Sequence, residues 1–134
     1  MNAILHHIGI LVSDIPEAAQ LYVSRFGYRI VSEIIHDPVQ TAYVQFLQGA
    51  EPAPLVELVV ADGPQSKLAG ALKRGGGLNH LCYRSEDIQH DCQVLTSQGM
   101  LLLQAPVPAA AFPGSRIAWL MAGDGIPIEL VEEK

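Results

Sequence analysis

Small and apolar residues alternate through "ILHHIGILV" around His7 and Gly9, which predicts a strand over residues 4–12. The pattern then changes to a helical period in "SDIPEAAQLYVSRFG". Asp14 can cap this helix, Pro16 sits in the first turn where its missing N–H is harmless, and Glu17 completes a capping-box spacing. Leu21, Tyr22 and Phe26 follow at helical intervals, and Gly27 ends the run. Three apolar stretches come next, "YRIVSEII", "TAYVQFLQ" and "APLVELVVA", each of strand length and strand composition. The first part of the chain is therefore a βαβββ module over residues 1–62. "GPQSKLAGALKR" predicts a connecting helix, closed by the glycines of a 63–76 connector.

The same order then restarts. "LNHLCYRS" reads as a strand and "EDIQHDCQVLTSQG" as a helix opened by Asp87 and closed by Gly99. "MLLLQAP", "SRIAWLMA" and "IPIELVEE" read as three strands. Residues 77–134 thus form a second βαβββ module. The steps from His7 to His80 and from Asp14 to Asp87 are both 73 residues, so "LHHIGILVSDI" returns as "LNHLCYRSEDI". Two copies are too few for a solenoid, which needs at least about three. They predict a single α+β domain whose curled mixed sheet surrounds a cleft.

Each copy also carries a glutamate in its last strand: Glu57 in "LVELVV" and Glu129 in "IPIELV". A carboxylate among apolar strand residues is costly to bury alone. Two histidines and two glutamates around one divalent cation would offset that cost, and imidazole with carboxylate suits Zn, Ni, Co, Fe or Mn. His7, Glu57, His80 and Glu129 are accordingly the candidate metal ligands. A cation bound to a carbonyl oxygen would ease proton removal from the neighbouring carbon, and Glu129 is the candidate to carry that proton.

Composition narrows the partners. Hydrophobic residues make up 49% of the 134, charged residues 16%, and the formal charge is −6. An acidic chain lacks the basic face that nucleic acid requires. No apolar run reaches the ~20 residues of a membrane span, and "MNAILHH" lacks the features of a secretory signal, so a cytoplasmic location is expected. The apolar excess implies either an unusually complete core or a surface covered by a second copy, hence a homodimer. Cys82 and Cys92 lack metal-site spacing and are expected to be reduced, partly buried thiols.

The segments "HHIGILVSDI", "VELVV", "GGGLNHLCY", "SRIAWL" and "IELVEE" resemble, in this order, the vicinal oxygen chelate superfamily of glyoxalases, bleomycin-resistance proteins and dioxygenases. Within it they are most similar to methylmalonyl-CoA epimerases, then to glyoxalase I. The resemblance implies metal ligands at His7, Glu57, His80 and Glu129, and isomerase or lyase chemistry on an acyl-CoA or a thiol adduct. A glyoxalase I-like lyase, a non-catalytic bleomycin-resistance-type binding protein and an Fe(II) dioxygenase are the alternatives it leaves open. The chain departs from the epimerase pattern in "HDPVQTAYV", where Val39 stands in place of a second acidic residue. Asp37 or His36 could substitute there, although Asp-Pro more often begins a turn. Met121 and Ala122 replace the usual His-Pro.

Other residues have smaller expected roles. "QAPVPAAAFPGS" could form a flap carrying Phe112. Lys73 and Arg74 could meet a phosphate of an acyl-CoA or simply end a helix. His6 and His90 are expected at the surface, and Trp119 and Tyr43 as walls of the barrel or cleft.

Overall fold

The structure, a computed structural model, describes residues 1–133. In chain order its elements are β1 (Leu5–Leu11), α1 (Ile15–Phe26), β2 (Arg29–Ile30), β3 (Ile35–Asp37), β4 (Ala42–Gln48), β5 (Leu55–Ala61), α2 (Ala69–Lys73), β6 (Gly77–Ser85), α3 (Ile88–Ser97), β7 (Leu101–Pro108), β8 (Arg116–Met121) and β9 (Pro127–Glu132). The α+β class is as expected, and the strand pairing mixes parallel with antiparallel. By contacts the chain divides into two units: residues 7–79, and residues 1–6 with those from His80 onward.

In the unit of residues 7–79 the strands run β2–β4–β5–β1, with β3 also against β4. β1 lies parallel to β5 and the other pairs are antiparallel. Alternation along the strands separates two faces. One face sends Val56, Leu58 and Leu47 against Ile15 and Ala19 of α1, with Ile10, Val12 and Tyr22 around them. The other carries His7, Gly9 and Leu11 beside Glu57 and Val59. Asp14 caps α1 through a 2.9 Å bond from the Glu17 N–H, and Gly27 ends it at φ 70.

The second unit repeats this plan. Its strands run β6–β9–β8–β7, with β6 parallel to β9. Ile88 and Cys92 of α3 pack on Ala118, Leu120 and Leu130. Asp87 caps α3 by accepting from the His90 N–H at 3.1 Å. The cap at the other end is Gln98, with Gly99 following at φ 100.

Three expectations on element boundaries are corrected. The single strand expected over 28–35 is broken into β2 and β3. At the break the Ser32 hydroxyl accepts the Phe46 N–H at 2.9 Å, and the Ser32 carbonyl accepts from Gln45 Nε2 at 3.1 Å. A side chain thus takes a ladder position that a backbone carbonyl would fill. The connecting helix is only the five residues of α2. Ahead of it, side-chain oxygens claim the backbone donors: Lys67 N–H bonds to Thr41 Oγ1 at 2.8 Å and Leu68 N–H to Ser66 Oγ at 3.0 Å. The strand expected to end at Pro106 continues as β7 to Pro108, paired with Arg116, and so takes in the start of the expected flap.

Candidate functional site

His7 and Glu57 stand on neighbouring parallel strands, β1 and β5. The register sets Gly9 opposite Glu57, so His7 and Glu57 share the face turned away from α1. Their side chains are 0% and 3% exposed, and His7 Nε2 lies 3.7 Å from Glu57 Oε1. Phe46 on β4 is the register partner of Glu57. Its ring meets the His7 imidazole edge-on, with centroids 5.3 Å apart and planes at 79°.

The second unit builds the same group from the corresponding elements. Cys82 of β6 is opposite Glu129 of β9, two residues beyond His80 just as Gly9 is two beyond His7. His80 Nε2 lies 3.4 Å from Glu129 Oε1, with side chains 0% and 4% exposed. Trp119 of β8 is the partner of Glu129 and packs edge-on against His80, centroids 4.7 Å apart at 76°. Each half therefore supplies one buried histidine, one buried glutamate and one aromatic wall. Trp119 was legible as a wall from sequence, but Phe46 was not. The available signal was an aromatic residue ten or eleven positions before each glutamate.

The two separations have chemical meaning. They exceed the 2.7–3.2 Å range typical of N–H···O hydrogen bonds. They approach the distance between two ligand atoms on one tetrahedral ion with metal bonds of 2.0–2.2 Å, about 3.4 Å. Each pair thus fits as one nitrogen and one oxygen donor to a divalent cation, and the donor types suit the harder and borderline metals.

The residues considered as substitutes for an acid at Val39 have other work. Asp37 Oδ1 accepts the N–H groups of Val39 and Gln40 at 3.0 and 3.2 Å, and its Oδ2 accepts from Gln40 Nε2 at 2.9 Å. Its carboxylate braces a turn. His36 is exposed and bonds to Asp62 at 2.9 Å, while its ring tilts over Tyr43 with centroids 4.9 Å apart. Tyr43 is itself exposed rather than a cleft wall. Thr41 ends the turn at φ 54.

His90 lies exposed on α3, as expected, whereas His6 is half-buried, with the Phe112 ring edge-on against it at 5.2 Å. Cys82 and Cys92 are both buried and no disulfide joins them. Burial, with Asp91 adding to it, pushes the Cys92 thiol pKa up. The bidentate pair of Arg116 with buried Glu132, closest at 2.8 Å, ties β8 to β9.

Known proteins share this arrangement's framework. Mitochondrial methylmalonyl-CoA epimerase of Dictyostelium discoideum is 27% identical over 136 residues, covering 96% of this chain and 78% of that one. An ethylmalonyl-CoA/methylmalonyl-CoA epimerase of Cereibacter sphaeroides is 29% identical over 130 residues, covering 94% and 95%. The crystal structure of methylmalonyl-CoA epimerase from Mycobacterium tuberculosis matches with a TM-score of 0.85 at 32% identity, over 97% of this chain and 87% of that one. The profile of the glyoxalase/bleomycin resistance protein/dioxygenase superfamily matches residues 6–119, a span that takes in His7, Glu57 and His80. With that match over most of its length, and a fold shared with a solved relative, the chain belongs to this superfamily.

Proposed function

We propose that His7, Glu57, His80 and Glu129 hold one divalent cation between them, and that the protein is an epimerase-like enzyme. Its reaction would move a proton on the carbon next to the thioester carbonyl of a 2-carboxyacyl-CoA. The observation that carries this reading is the repeated His–Glu pair, buried and backed by an aromatic ring in each half. The relatives named as methylmalonyl-CoA and ethylmalonyl-CoA epimerases support the substrate class.

The bound cation would act as a Lewis acid toward the substrate carbonyl, making the adjacent C–H easier to ionise. Glu129 is the residue to take that proton and return it. Its carboxylate is buried beside His80, so little water competes for the proton during transfer. Phe46 and Trp119 fix the rings of His7 and His80 and keep solvent from the donor atoms.

The test is solvent deuterium incorporation into methylmalonyl-CoA, run beside a hemithioacetal of glutathione, with and without chelator. Metal content is measured on the same preparations. One equivalent of metal, chelator-sensitive exchange into the CoA ester, and a loss of at least about 100-fold in Glu129→Gln are expected. Undiminished exchange by a metal-free wild-type protein would overturn the reading. Turnover of the hemithioacetal alone would move it to a glyoxalase-type lyase.

A further inference from the structure

We propose that Lys67, Lys73 and Arg74 form the seat for the phosphate-bearing end of the acyl-CoA, an inference that rests on the substrate class above. The chain has 14 acidic residues against 8 Lys and Arg. Arg29, Arg84 and Arg116 are each ion-paired with a glutamate, at 3.5, 3.3 and 2.8 Å. Among the described residues Arg25, Lys67, Lys73 and Arg74 are exposed and make no ion pair with a carboxylate; Arg25 stands alone on α1, whereas Lys67, Lys73 and Arg74 fall within one short connector. An acidic protein that carries cations without carboxylate partners along one short stretch sets up a local field for an anion.

The connector is also fixed in position. Lys67 donates its N–H to Thr41 Oγ1 at 2.8 Å and its ammonium to the Val39 carbonyl at 3.2 Å. The Arg74 guanidinium lies back over Gly70, where an added methyl would be 3.4 Å from Nη1. Two residues after it, Gly76 crosses the end of β1 so closely that a Cβ there would lie 2.5 Å from the Leu11 carbonyl oxygen. Leu11 is four residues along β1 from His7, about 13 Å at the rise of a strand. A pantetheine arm separates the thioester of an acyl-CoA from its phosphates by a distance of that order. With the thioester at the His7–Glu57 pair, the phosphates would reach the connector.

Cations near a helix C-terminus also complement the helix dipole. That role is small for the five residues of α2 and does not apply to Lys67, which precedes the helix. Lys and Arg together are well suited to phosphate oxygens, Arg by its planar fork and Lys as a mobile point charge.

The experiment compares wild type with the Lys73→Ala/Arg74→Ala double variant and with Lys67→Ala, each checked for native circular dichroism. Two thioesters carry the same acyl group, one on CoA and one on pantetheine, which has no phosphate. In the double variant KM for the CoA ester is expected to rise about tenfold more than any change for the pantetheine ester. The wild-type KM for the CoA ester should climb with added NaCl, and the variant's should climb less. Calorimetric titration with CoA itself gives a readout that needs no turnover. If wild type binds CoA and the double variant does not, the seat stands even where no thioester is turned over, and only the epimerase reading falls. Equal losses for both esters, CoA affinity unchanged by the substitutions, or no CoA binding by wild type would each overturn the proposal.

Discussion

At the scale of single residues, Thr41 has a conformation that side chains with a branched Cβ avoid. At φ 54 it is left-handed, which disfavours an L-residue by about 1–2 kcal/mol. Its hydroxyl offsets this by donating to the Gln40 carbonyl, sharing a bond with Ser66 Oγ and accepting the Lys67 N–H. Thr41→Val keeps the awkward backbone and loses those bonds, so it should destabilise the fold by about 1–3 kcal/mol in denaturant titration. Thr41→Ser should stay close to wild type. A Thr41→Val variant as stable as wild type would show that the hydroxyl contributes nothing. Asp37-Pro38 announced the turn, but nothing in "VQTAYV" marks Thr41 as its left-handed end, because threonine followed by alternating apolar residues reads as the start of a strand. Cys92 gives a second prediction. Its raised pKa means the folded state favours the neutral thiol. That contribution to stability is complete below the unfolded thiol's pKa of about 8.5 and is lost as pH rises through the folded value. The denaturation midpoint should therefore fall in alkaline buffer, and fall less in Cys92→Ala.

At the scale of elements, the caps and the repeat were written in local pattern, and the helix faces only in part. Asp14 and Asp87 cap the helices they were expected to cap, and Ile15, Ala19 and Tyr22 of α1 and Ile88 and Cys92 of α3 face their own strands, whereas Leu21 and Phe26, placed at the same helical intervals, are exposed. What was not legible were places where a side chain replaces a backbone partner. Ser32 breaks one strand in this way, and Thr41 with Ser66 holds off helix formation until Ala69. Such substitutions depend on residues far apart in sequence, so no window along the chain reveals them. The glycines after α2 can be told apart by experiment. Gly75 and Gly76 both have positive φ, but a Cβ at Gly75 meets open space whereas one at Gly76 meets the Leu11 carbonyl. Gly75→Ala should destabilise by about 1–2 kcal/mol from backbone conformation alone. Gly76→Ala should exceed it clearly in the same thermal or chemical unfolding assay, and equal losses would mean that the crossing is looser than described.

At the scale of the whole molecule, the duplicated pattern of histidine and glutamate gave the ligand candidates, because it rests on two positions repeated at one interval. Their aromatic backing was harder to see, since strand register decides which side chain stands opposite a glutamate. Part of the composition's apolar excess lies at the surface. Phe26 is 69% exposed, Leu101 63% and Leu103 50%, and β7 is the outer strand of its ladder. Apolar side chains on an edge strand favour association, so light scattering at micromolar concentration should give the mass of a dimer. Leu101→Lys/Leu103→Lys should shift it toward monomer if β7 contributes to that contact.

Trp119 is the chain's sole tryptophan, and its indole meets the imidazole of His80 edge-on. The protein thus carries its own optical probe at one end of the candidate ion site. Cobalt or nickel settling on His80 should dim the emission through their partly filled d shells, while zinc, with a closed shell, should mainly shift it. Occupancy could then be followed by fluorescence alone, in the same cuvette as the reaction, without a label or a coupled enzyme.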